Sequence, residues 1–389
     1  MTVNVSKPAF NIREKLSELD KPTGLKGTEL MRSKTSQEVR DLINSGRKNL
    51  IINGAMMIAQ RGTSSTSAGY KTVDRFNTSM ANVDEACTFE QANVAADTDP
   101  WNAGFRRSFK VTNGNQTSGA GAADDLSISQ NIEAQNLANS GWDYTSSLSY
   151  ITLSFWAKSS VAQTFYTGFR IYGSDQREYC FSYTLAANTW KKVTHAIPGG
   201  DGHTILNSNA IGAFIQWPMW WGTNYTSSGR VINSWQIKNN ASNYPDNAST
   251  WYTTNDATFE LTGVQLEVGP IATEFEHRSY AEELALCQRY FMRRFLLGNC
   301  STGFSQSGGG YNSHLMNIPL PCKMRTQPTV TFENGTQSGC FQPGGDTANF
   351  GSFSMGPDFL SVTTGSTNST WTTQVVASSA PKILINAEL

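Results

Sequence analysis

Three tryptophans stand within five positions of the stretch IQWPMWWGTNY, at Trp217, Trp220 and Trp221. An indole ring is flat and apolar, so it can pack against the C–H face of a sugar while neighbouring amides and hydroxyls bind the sugar's hydroxyl groups. The residues that follow, GTNYTSSG, supply such polar groups. Carbohydrate binding is therefore the first function that this stretch suggests.

The strand pattern before the cluster separates the three tryptophans. Trp217 continues the alternating apolar row of AIGAFIQW, which predicts a core position, and Pro218 then predicts the end of strand pairing. Trp220 and Trp221 are expected on a loop, where three interpretations stay open: a sugar platform, packing within the loop or at a subunit contact, and a core position. The candidate carbohydrate-binding residues are Trp220, Trp221, Tyr225 and Trp235.

Residue types that carry out catalysis occur without the spacing that catalysis needs. The adjacent carboxylates of Asp84–Glu85 and Asp124–Asp125 are expected to be solvated or to cap turns, because a glycosidase needs two carboxylates that face each other across a cleft. No GxSxG motif is present, and His195 shares a strand face with Val193 and Ile197, which predicts a core histidine. We expect no catalytic residues and no enzymatic activity.

Metal and cofactor motifs are equally scarce. The triplet Asp201–His203 lacks further ligands at a recognised spacing, and the six cysteines form no CxxC pair, which predicts reduced thiols and no metal site. The glycines of QSGGGYN lack the GK[ST] ending of a phosphate loop. A structural calcium bound by Glu267 or Asp125 remains an alternative, although the sequence has no calcium-loop motif. We therefore expect no cofactor.

Charge and hydropathy exclude two classes of partner. The formal net charge is −1, and 16% of the residues are charged, against roughly 25% in an ordinary soluble domain. Nucleic acid rewards clustered Lys and Arg, so we expect no nucleic-acid binding. No run of about 18 apolar residues occurs, so we expect no membrane insertion. The chain starts without a signal-peptide pattern, which favours folding in a reducing cytoplasm.

Residues 1–48 differ in kind from the rest and predict an N-terminal attachment or stem segment. Within TSQEVRDLINSG, Thr35 and Glu38 form a capping box, and Gly46 stands where the helix should end. A helix this short is marginal alone, so its apolar face should pack on other copies of itself or on a docking surface. The residues of that face are Val39, Leu42 and Ile43.

Residues 49–278 read as a β-sandwich or jelly roll. The stretch YITLSFWAKSS alternates, with Ile151, Leu153, Phe155 and Ala157 on one face, and similar strands recur at spacings of roughly a dozen residues. In ATFELTGVQLEV the apolar positions change parity, and a β-bulge at Thr262–Gly263 would absorb the change. Many short strands with little helix predict a mainly β fold.

Residues 279–296 interrupt the β pattern and predict one connecting helix. Ser279 and Glu282 form a second capping box, and Leu284, Cys287 and Phe291 form an apolar stripe along one face of the helix. The remaining residues, 297–389, are rich in Gly, Ser, Thr and Asn, and they predict a small C-terminal β-domain with strands such as PTVTFEN and PKILINAEL.

At this point the chain resembles a family, the tail-fibre and related virion proteins of tailed bacteriophages, especially marine ones. Three stretches carry most of the resemblance: TFELTGVQLEVGPIATEFEHRSYAEELALCQRYF at the jelly-roll-to-helix junction, RKNLIINGAMMIAQRGTSS with VDRFNTS at the domain entry, and KGTELMRSKTSQEVRDLINSG as a stem element. Together they cover residues 1–295. The last part, with LPCKMRTQPTVT and INAEL, is similar to the distal domain of those proteins.

The resemblance implies a homotrimer on the virion exterior, at the tail or head surface. Its trimer and stem contacts would be Val39, Leu42, Ile43, Leu284, Cys287 and Phe291. It implies attachment to other virion proteins through the N-terminal segment, a jelly roll like those of carbohydrate-binding modules, and adsorption to host cell-surface glycans. The alternative is a structural role as a head-decoration fibre or a collar or tail adaptor. A polysaccharide depolymerase is a weaker alternative, because such spikes usually need a long β-helix with a fixed repeat, which the sequence lacks.

Overall fold

A computed structural model describes residue 32 and residues 47–200, 202–295, 299–300, 315–333, 338–341, 347–355, 359–364, 373–374 and 382–389. The chain divides into two compact units: Met1–Lys48 with Thr273–Glu276, and Asn49–Ala272 with His277–Leu389. In the first unit, the backbone N–H of Lys48 donates to the Glu276 carboxylate at 2.6 Å. The predicted stem residues Val39, Leu42 and Ile43 lie outside the described residues.

The second unit is built around a sandwich of two antiparallel six-stranded sheets. The first sheet contains, in spatial order, β1 (Ser64–Ser65), β3 (Thr88–Asn93), β4 (Arg107–Thr112), β12 (Thr258–Val268), β6 (Tyr150–Ser159) and β9 (Lys191–Pro198). The second contains β11 (Trp235–Ile237), β8 (Arg177–Leu185), β7 (Gln163–Ile171), β10 (Ile211–Trp221), β5 (Asp125–Glu133) and β2 (Asn77–Ala81). Short helices α1 (Asp99–Asn102) and α2 (Ala134–Ala138) lie between strands. The predicted mainly β sandwich is confirmed.

The core fills the space between the two sheets with the faces that alternation predicts. Leu153 and Phe155 of β6 are fully buried, as is Trp217 of β10, whose ring meets that of Phe155 edge to face at 5.8 Å. The predicted bulge in β12 is also present: pairing with β6 shifts between Thr262 and Gln265, and Gly263 has a φ of +62°. The bulge keeps both halves of β12 turned toward the core.

Two smaller antiparallel sheets follow. The third sheet has three strands in the order β13 (Phe291–Phe295), β21 (Lys382–Asn386) and β16 (Thr329–Phe332). The fourth has six: β14 (Asn299–Cys300), β20 (Thr373–Gln374), β17 (Ser338–Phe341), β18 (Thr347–Met355), β19 (Phe359–Thr364) and β15 (Leu315–Pro319). Strands β16 and β21 are adjacent, and the N–H of Glu333 donates to the carbonyl of Lys382 at 3.0 Å.

The connecting helix is shorter than predicted. Helix α3 (Tyr280–Gln288) begins as expected, since the Ser279 hydroxyl accepts from the N–H of Glu282, but it ends at Gln288, and Phe291–Phe295 form β13 instead. The prediction of helix through residue 296 was wrong because β21, the partner of β13, lies far away in the sequence. A local periodicity does not register such a partner.

The apolar stripe assigned to trimer contacts is largely buried within the chain itself. Cys287 and Phe291 are buried, and Leu284 is half-buried. The helix is held on the sandwich because the Glu283 carboxylate, buried beneath it, accepts from the backbone N–H of Asn53 at 2.6 Å. Cys287 and Phe291 therefore belong to the packing between α3, β13 and the sandwich, and the prediction that a trimer buries them is wrong.

Candidate functional site

The strand that carries the tryptophan cluster is longer than the sequence predicts. β10 continues through Pro218 to Trp221 instead of ending in a loop. Proline is tolerated there because pairing with β7 has already stopped at Gln216 and pairing with β5 shifts register between Pro218 and Trp220. The predicted placement of Trp220 and Trp221 on a loop was therefore wrong, and the register shift decides which face each ring occupies.

Trp220 points into the core. Its side chain is 7% exposed, and its ring stacks on that of Tyr252 with 5.6 Å between centroids and 22° between planes. The Tyr252 hydroxyl in turn donates to the Asp124 carboxylate at 3.1 Å. A ring enclosed in this way has no free face for a sugar, so Trp220 is a structural residue.

Trp221 lies on the opposite, outer side of the second sheet and is half-buried. Its ring meets those of Tyr225 and Tyr244 edge to face at 5.4 and 5.2 Å. The side-chain amide of Asn247 donates to the Trp221 carbonyl at 3.3 Å. The structure thus brings Trp221 and Tyr225 together, as a site would need.

Trp235 lies elsewhere, on β11 at the far edge of the second sheet. Its indole N–H donates to the carbonyl of Pro198 at 2.7 Å, and its ring packs against Phe169, Tyr179 and His203, the last at 4.3 Å. Strands β8, β7 and β10 separate β11 from β5, which pairs with the end of β10. The four predicted residues therefore do not form one site.

The outer face of the second sheet carries a different set of residues in register. Cross-strand pairing places Phe214 beside both Asn131 and Arg170, Arg170 beside Glu178, and Glu178 beside Gln236. We call these five residues the polar row; it crosses β5, β10, β7, β8 and β11. Phe214 and Gln236 are half-exposed, whereas the other three are buried. One half-exposed ring is thus flanked by hydrogen-bonding and charged groups.

Two stretches that flank β11, residues 225–234 and 239–246, are joined by a bridge between Thr226 and Tyr244 and fold back over part of this face; we call them the covering segment. Tyr244 is fully buried, and its hydroxyl donates to the side-chain oxygen of Gln216 at 3.1 Å. Glycine at position 168 makes this approach possible, because a Cβ there would lie 2.4 Å from the Tyr244 hydroxyl oxygen. Tyr244 therefore fixes the covering segment on the sheet directly beside the polar row.

The charges of the polar row are bound to the covering segment as well. The Arg170 guanidinium donates to the Glu178 carboxylate at 2.8 Å and lies over the Phe214 ring at 5.1 Å. From the covering segment, Arg230 lies 3.5 Å from the other Glu178 oxygen, and Asn243 accepts from Arg170 at 3.5 Å. Burial by itself lowers the pKa of Arg170, but the Glu178 carboxylate together with Tyr172 and Tyr244 outweighs burial, so the pKa is raised.

Leu389 and Tyr70 border the polar row at Asn131. The Asn131 side-chain amide donates to the carbonyl of Leu389 at 3.1 Å and to the Tyr70 hydroxyl at 3.3 Å. Its side-chain oxygen is buried and has no hydrogen-bond partner in the described part of the chain. Phe214 consequently lies between Asn131 with Leu389 on one side and Arg170 with the covering segment on the other.

The sequence does not predict the polar row, although it contains one signal of a polar cluster on this face. In TFYTGFRIY the residues facing away from the core are Thr164, Tyr166, Gly168 and Arg170, and a buried arginine in a strand calls for a partner on the same face. Which strand supplies that partner depends on sheet order and register, and these are properties of the whole fold.

Residues weighed for catalysis have structural contacts. His195 is half-buried, its ring stacks on Phe181 with 4.1 Å between centroids, and burial lowers its pKa. Asp84 accepts from the N–H of Ser118 at 2.6 Å, and Asp125 from the hydroxyl of Ser79 at 2.5 Å. Each carboxylate therefore has a local partner, as expected for acids that hold turns and strands.

Metal-ligand groups and membrane spans were sought among the described residues. No group of three or more His, Cys, Asp or Glu side chains there could hold a metal ion. Cys87, Cys180 and Cys287 are buried free thiols, and Cys322 is half-buried and free. Within the same described residues, no helix is long and apolar enough to cross a membrane.

No protein-family model matches the sequence, and no curated protein matches it. Among solved structures, the chain is similar to the CBM22-1–CBM22-2 tandem domain of Xyn10C from Paenibacillus barcinonensis, at 8% identity and a TM-score of 0.27 over 88% of this chain and 98% of that one. It is also similar to the N-terminal cellulose-binding domain of β-1,4-glucanase C from Cellulomonas fimi, at 10% identity and a TM-score of 0.26 over 56% and 99%. A third is a family 16 carbohydrate-binding module, at 10% identity and a TM-score of 0.23 over 46% and 84%. These proteins are similar in fold, and they assign no role to any residue.

Proposed function

We propose that this chain is a non-enzymatic virion protein of a tailed bacteriophage, a trimeric tail fibre or short spike that binds host surface glycans. The observation that carries the glycan-binding part is the outer face of the second sheet, where three half-buried aromatic rings stand among amides and hydroxyls. These rings belong to Tyr166, Phe214 and Trp221. Sugar binding needs such rings together with hydrogen-bonding groups that fix orientation.

The polar partners on this face are side chains of the same sheet. Thr164, Ser182 and Thr184 are exposed, and the hydroxyls of Thr164 and Thr184 lie 2.8 Å apart. Asn131 adds a side-chain amide oxygen that has no hydrogen-bond partner among the described residues. Neutral hydroxyl and amide groups bind sugar hydroxyls with little desolvation cost compared with charged groups.

The virion part of the proposal is supported by the resemblance of the junction TFELTGVQLEVGPIATEFEH and of the stem element to fibre proteins. Because Cys287 and Phe291 are buried within the chain, the trimer contacts fall to Val39, Leu42 and Ile43 of the stem. Three copies on one fibre would multiply weak sugar contacts into firm attachment without any single strong site.

The test is binding of the labelled full-length protein to host cells, before and after their surface polysaccharide is stripped. Saturable binding that is lost on stripping is expected, and Phe214→Ala should weaken it by about tenfold or more. Trp101→Ala is the matched control, since Trp101 is a half-buried aromatic on α1, which lies outside the second sheet. Unchanged binding on stripped cells would overturn the proposal, and sustained release of reducing ends would make the protein a depolymerase.

A structural role as a head-decoration fibre or a collar or tail adaptor is the second candidate. It is favoured by large apolar side chains exposed on the sandwich, among them Leu148, Leu206, Val231 and Ile237. Apolar side chains at the surface often mark contacts between proteins. Under this alternative, substitutions at these positions impair particle assembly while Phe214→Ala has no effect on adsorption.

A further inference from the structure

We propose that the sugar bound at the polar row is acidic: a ring that carries a carboxylate or a sulfate, with the anion directed at Arg170 and Lys238 and the ring packed on Phe214. This inference rests on the proposed glycan-binding function and specifies the class of glycan. Where the covering segment meets the second sheet, positively charged side chains outnumber the negatively charged ones.

The imbalance begins with three buried ionic side chains. Arg170 is 7% exposed, Arg230 is 5% exposed and Glu178 is 1% exposed. Both guanidinium groups are within ion-pair distance of the same carboxylate, at 2.8 and 3.5 Å. Two cations thus share one anion. A buried charge that is not neutralised is costly, so this arrangement favours a further anion.

Lys238 adds a third cation at the more exposed side of the cluster. It follows β11 directly and is half-buried, and its ammonium group donates to the side-chain oxygen of Asn240. The pKa of Lys238 is lowered, first by burial and then by the positive charge of Arg170, while Glu178 opposes this change. Lys238 also lies two positions after Gln236, and its backbone N–H donates to the carbonyl of Gln176 at 2.9 Å. Strand alternation therefore places Lys238 on the same face as the polar row, where an anion would be attracted to both Lys238 and Arg170.

Unused hydrogen-bonding capacity accompanies the unbalanced charge. The Nε–H groups of Arg170 and Arg230 are buried and have no hydrogen-bond partner in the described part of the chain. The buried side-chain oxygen of Asn131, at the other end of the row, also has none there. Glu178 Oε2 is likewise buried without a hydrogen-bond partner among the described residues, although Arg230 lies within ion-pair distance of it. Buried polar groups are usually paired, so donors and acceptors left open along the polar row are consistent with a bound ligand.

The ring and the cations are close enough to act on one sugar. Phe214 and Arg170 are cross-strand neighbours, and the guanidinium lies 5.1 Å from the ring centroid. The Arg170 Nη1 group also donates to the Tyr172 hydroxyl at 3.4 Å, and Tyr172 is half-buried. A pyranose ring on Phe214 would place a carboxylate or sulfate substituent within reach of Arg170. Carboxylate and sulfate oxygens form charge-assisted hydrogen bonds with such donors.

The experiment compares polymers that differ only in charge. Immobilised polygalacturonate is paired with its carboxyl-reduced form, and dextran sulfate with dextran, and binding of the full-length protein is measured at low and high ionic strength. The acidic member of at least one pair should bind about tenfold or more tightly, with the preference reduced by salt. The pair that shows the preference identifies carboxylate or sulfate as the anion.

Lys238→Gln tests the location of the anion. This half-buried residue can be changed without breaking the buried Arg170–Glu178 pair, so folding should be retained, and affinity for the preferred polymer should fall about three- to tenfold. Lys192→Gln, which removes an exposed lysine from β9 in the first sheet, is the control and should leave affinity unchanged.

Three outcomes would overturn the inference. These are equal affinity for the acidic and neutral members of both pairs, binding to none of the four polymers, and a preference for acidic polymer that Lys238→Gln leaves intact. Host-cell binding separates this failure from that of the proposed function. A protein that binds untreated cells but not stripped ones, without preference for acidic polymer, remains a glycan-binding protein; one that binds neither cells nor polymers is not.

Discussion

The guanidinium of Arg75 forms a buried ion pair with the carboxylate of Glu388, and these residues lie at nearly opposite ends of the described sequence. The same guanidinium lies over the Tyr290 ring at 3.4 Å and donates to the carbonyl of Asn131 on β5 at 2.8 Å. Arg61 binds Glu388 as well, at 3.3 Å. One carboxylate after β21 thus connects the third sheet with the sandwich.

Breaking this pair should destabilise the whole second unit. Glu388→Gln leaves the buried Arg75 guanidinium without its carboxylate, so the free energy of unfolding should fall by about 3–5 kcal/mol in urea denaturation. Arg75→Met leaves Glu388 paired with Arg61 and should cost less. The double variant should lose less than the sum of the two. Glu333→Gln is the control, since its ion pair with Arg293 is more exposed and should contribute less than about 1 kcal/mol. Equal losses for the buried and exposed pairs would contradict this prediction.

The adjacent tryptophans Trp220 and Trp221 should respond differently to substitution. Trp220→Ala leaves a cavity beside Tyr252 and should lower the free energy of unfolding by about 3–5 kcal/mol. Trp221→Ala removes a half-buried ring from the outer face, so its cost should be clearly smaller. Thermal and urea unfolding measure both, and a larger loss for Trp221 would mean that the two rings occupy the opposite faces.

Gly168→Ala should displace Tyr244 from the sheet. The new methyl carbon would lie 2.4 Å from the tyrosine oxygen, and the hydrogen bond to Gln216 would be lost, at a cost of about 1–3 kcal/mol. Removing that oxygen with Tyr244→Phe should make the alanine better tolerated. A double-mutant cycle measures this coupling. Additive losses would show that Gly168 and Tyr244 act independently.

His203 should make stability depend on pH. Burial, followed by the charge of Arg177, lowers its pKa in the folded protein to about 4, from 6.5. Between these pH values the unfolded chain binds a proton that the folded chain does not. The stability that the folded protein gains from keeping His203 neutral is therefore fully present above about pH 6.5. It is lost as pH falls toward 4 and amounts to about 3 kcal/mol. His203→Phe should abolish it, and urea denaturation of both proteins across this pH range measures the difference.

Asp74 must be considered in the same titration, because it acts in the opposite direction. Burial raises its pKa to about 6, so the folded chain binds a proton first and stability falls as pH rises from about 4 to about 6. The two effects largely cancel in the unmodified protein. The difference between the protein and His203→Phe at each pH isolates the histidine, and a difference that does not change with pH would contradict the assignment.

Local signals predicted the parts of the fold that depend on local structure. Alternation placed Leu153 and Phe155 in the core, the change of parity located the bulge at Gly263, and Ser279 marked the start of α3. The strand Phe291–Phe295 was missed because its sequence fits a helix and its partner β21 is remote. Non-local pairing decides such segments.

The candidate site was harder to predict, for a geometric reason. Trp220 faces inward because pairing shifts register just before it, and a shift of one residue exchanges the two faces of a strand. The row from Asn131 to Gln236 draws on five strands, and no short window of sequence contains two of its members on neighbouring strands except Arg170 and Glu178. Composition indicated a polar, nearly neutral surface, but the fold alone placed three cations around Glu178.

The hydrogen bond between Glu333 and Lys382 has a consequence for how this chain can change over time. Glu333 and Lys382 are held together where β16 pairs with β21, so the length of the chain between them affects chain entropy only weakly. Insertions between the strands of this stretch should therefore be tolerated while β16, β21 and the ion pair of Arg75 remain in place, whereas β19 and β20 themselves are constrained by their pairing with β15 and β14, which precede β16 in the chain.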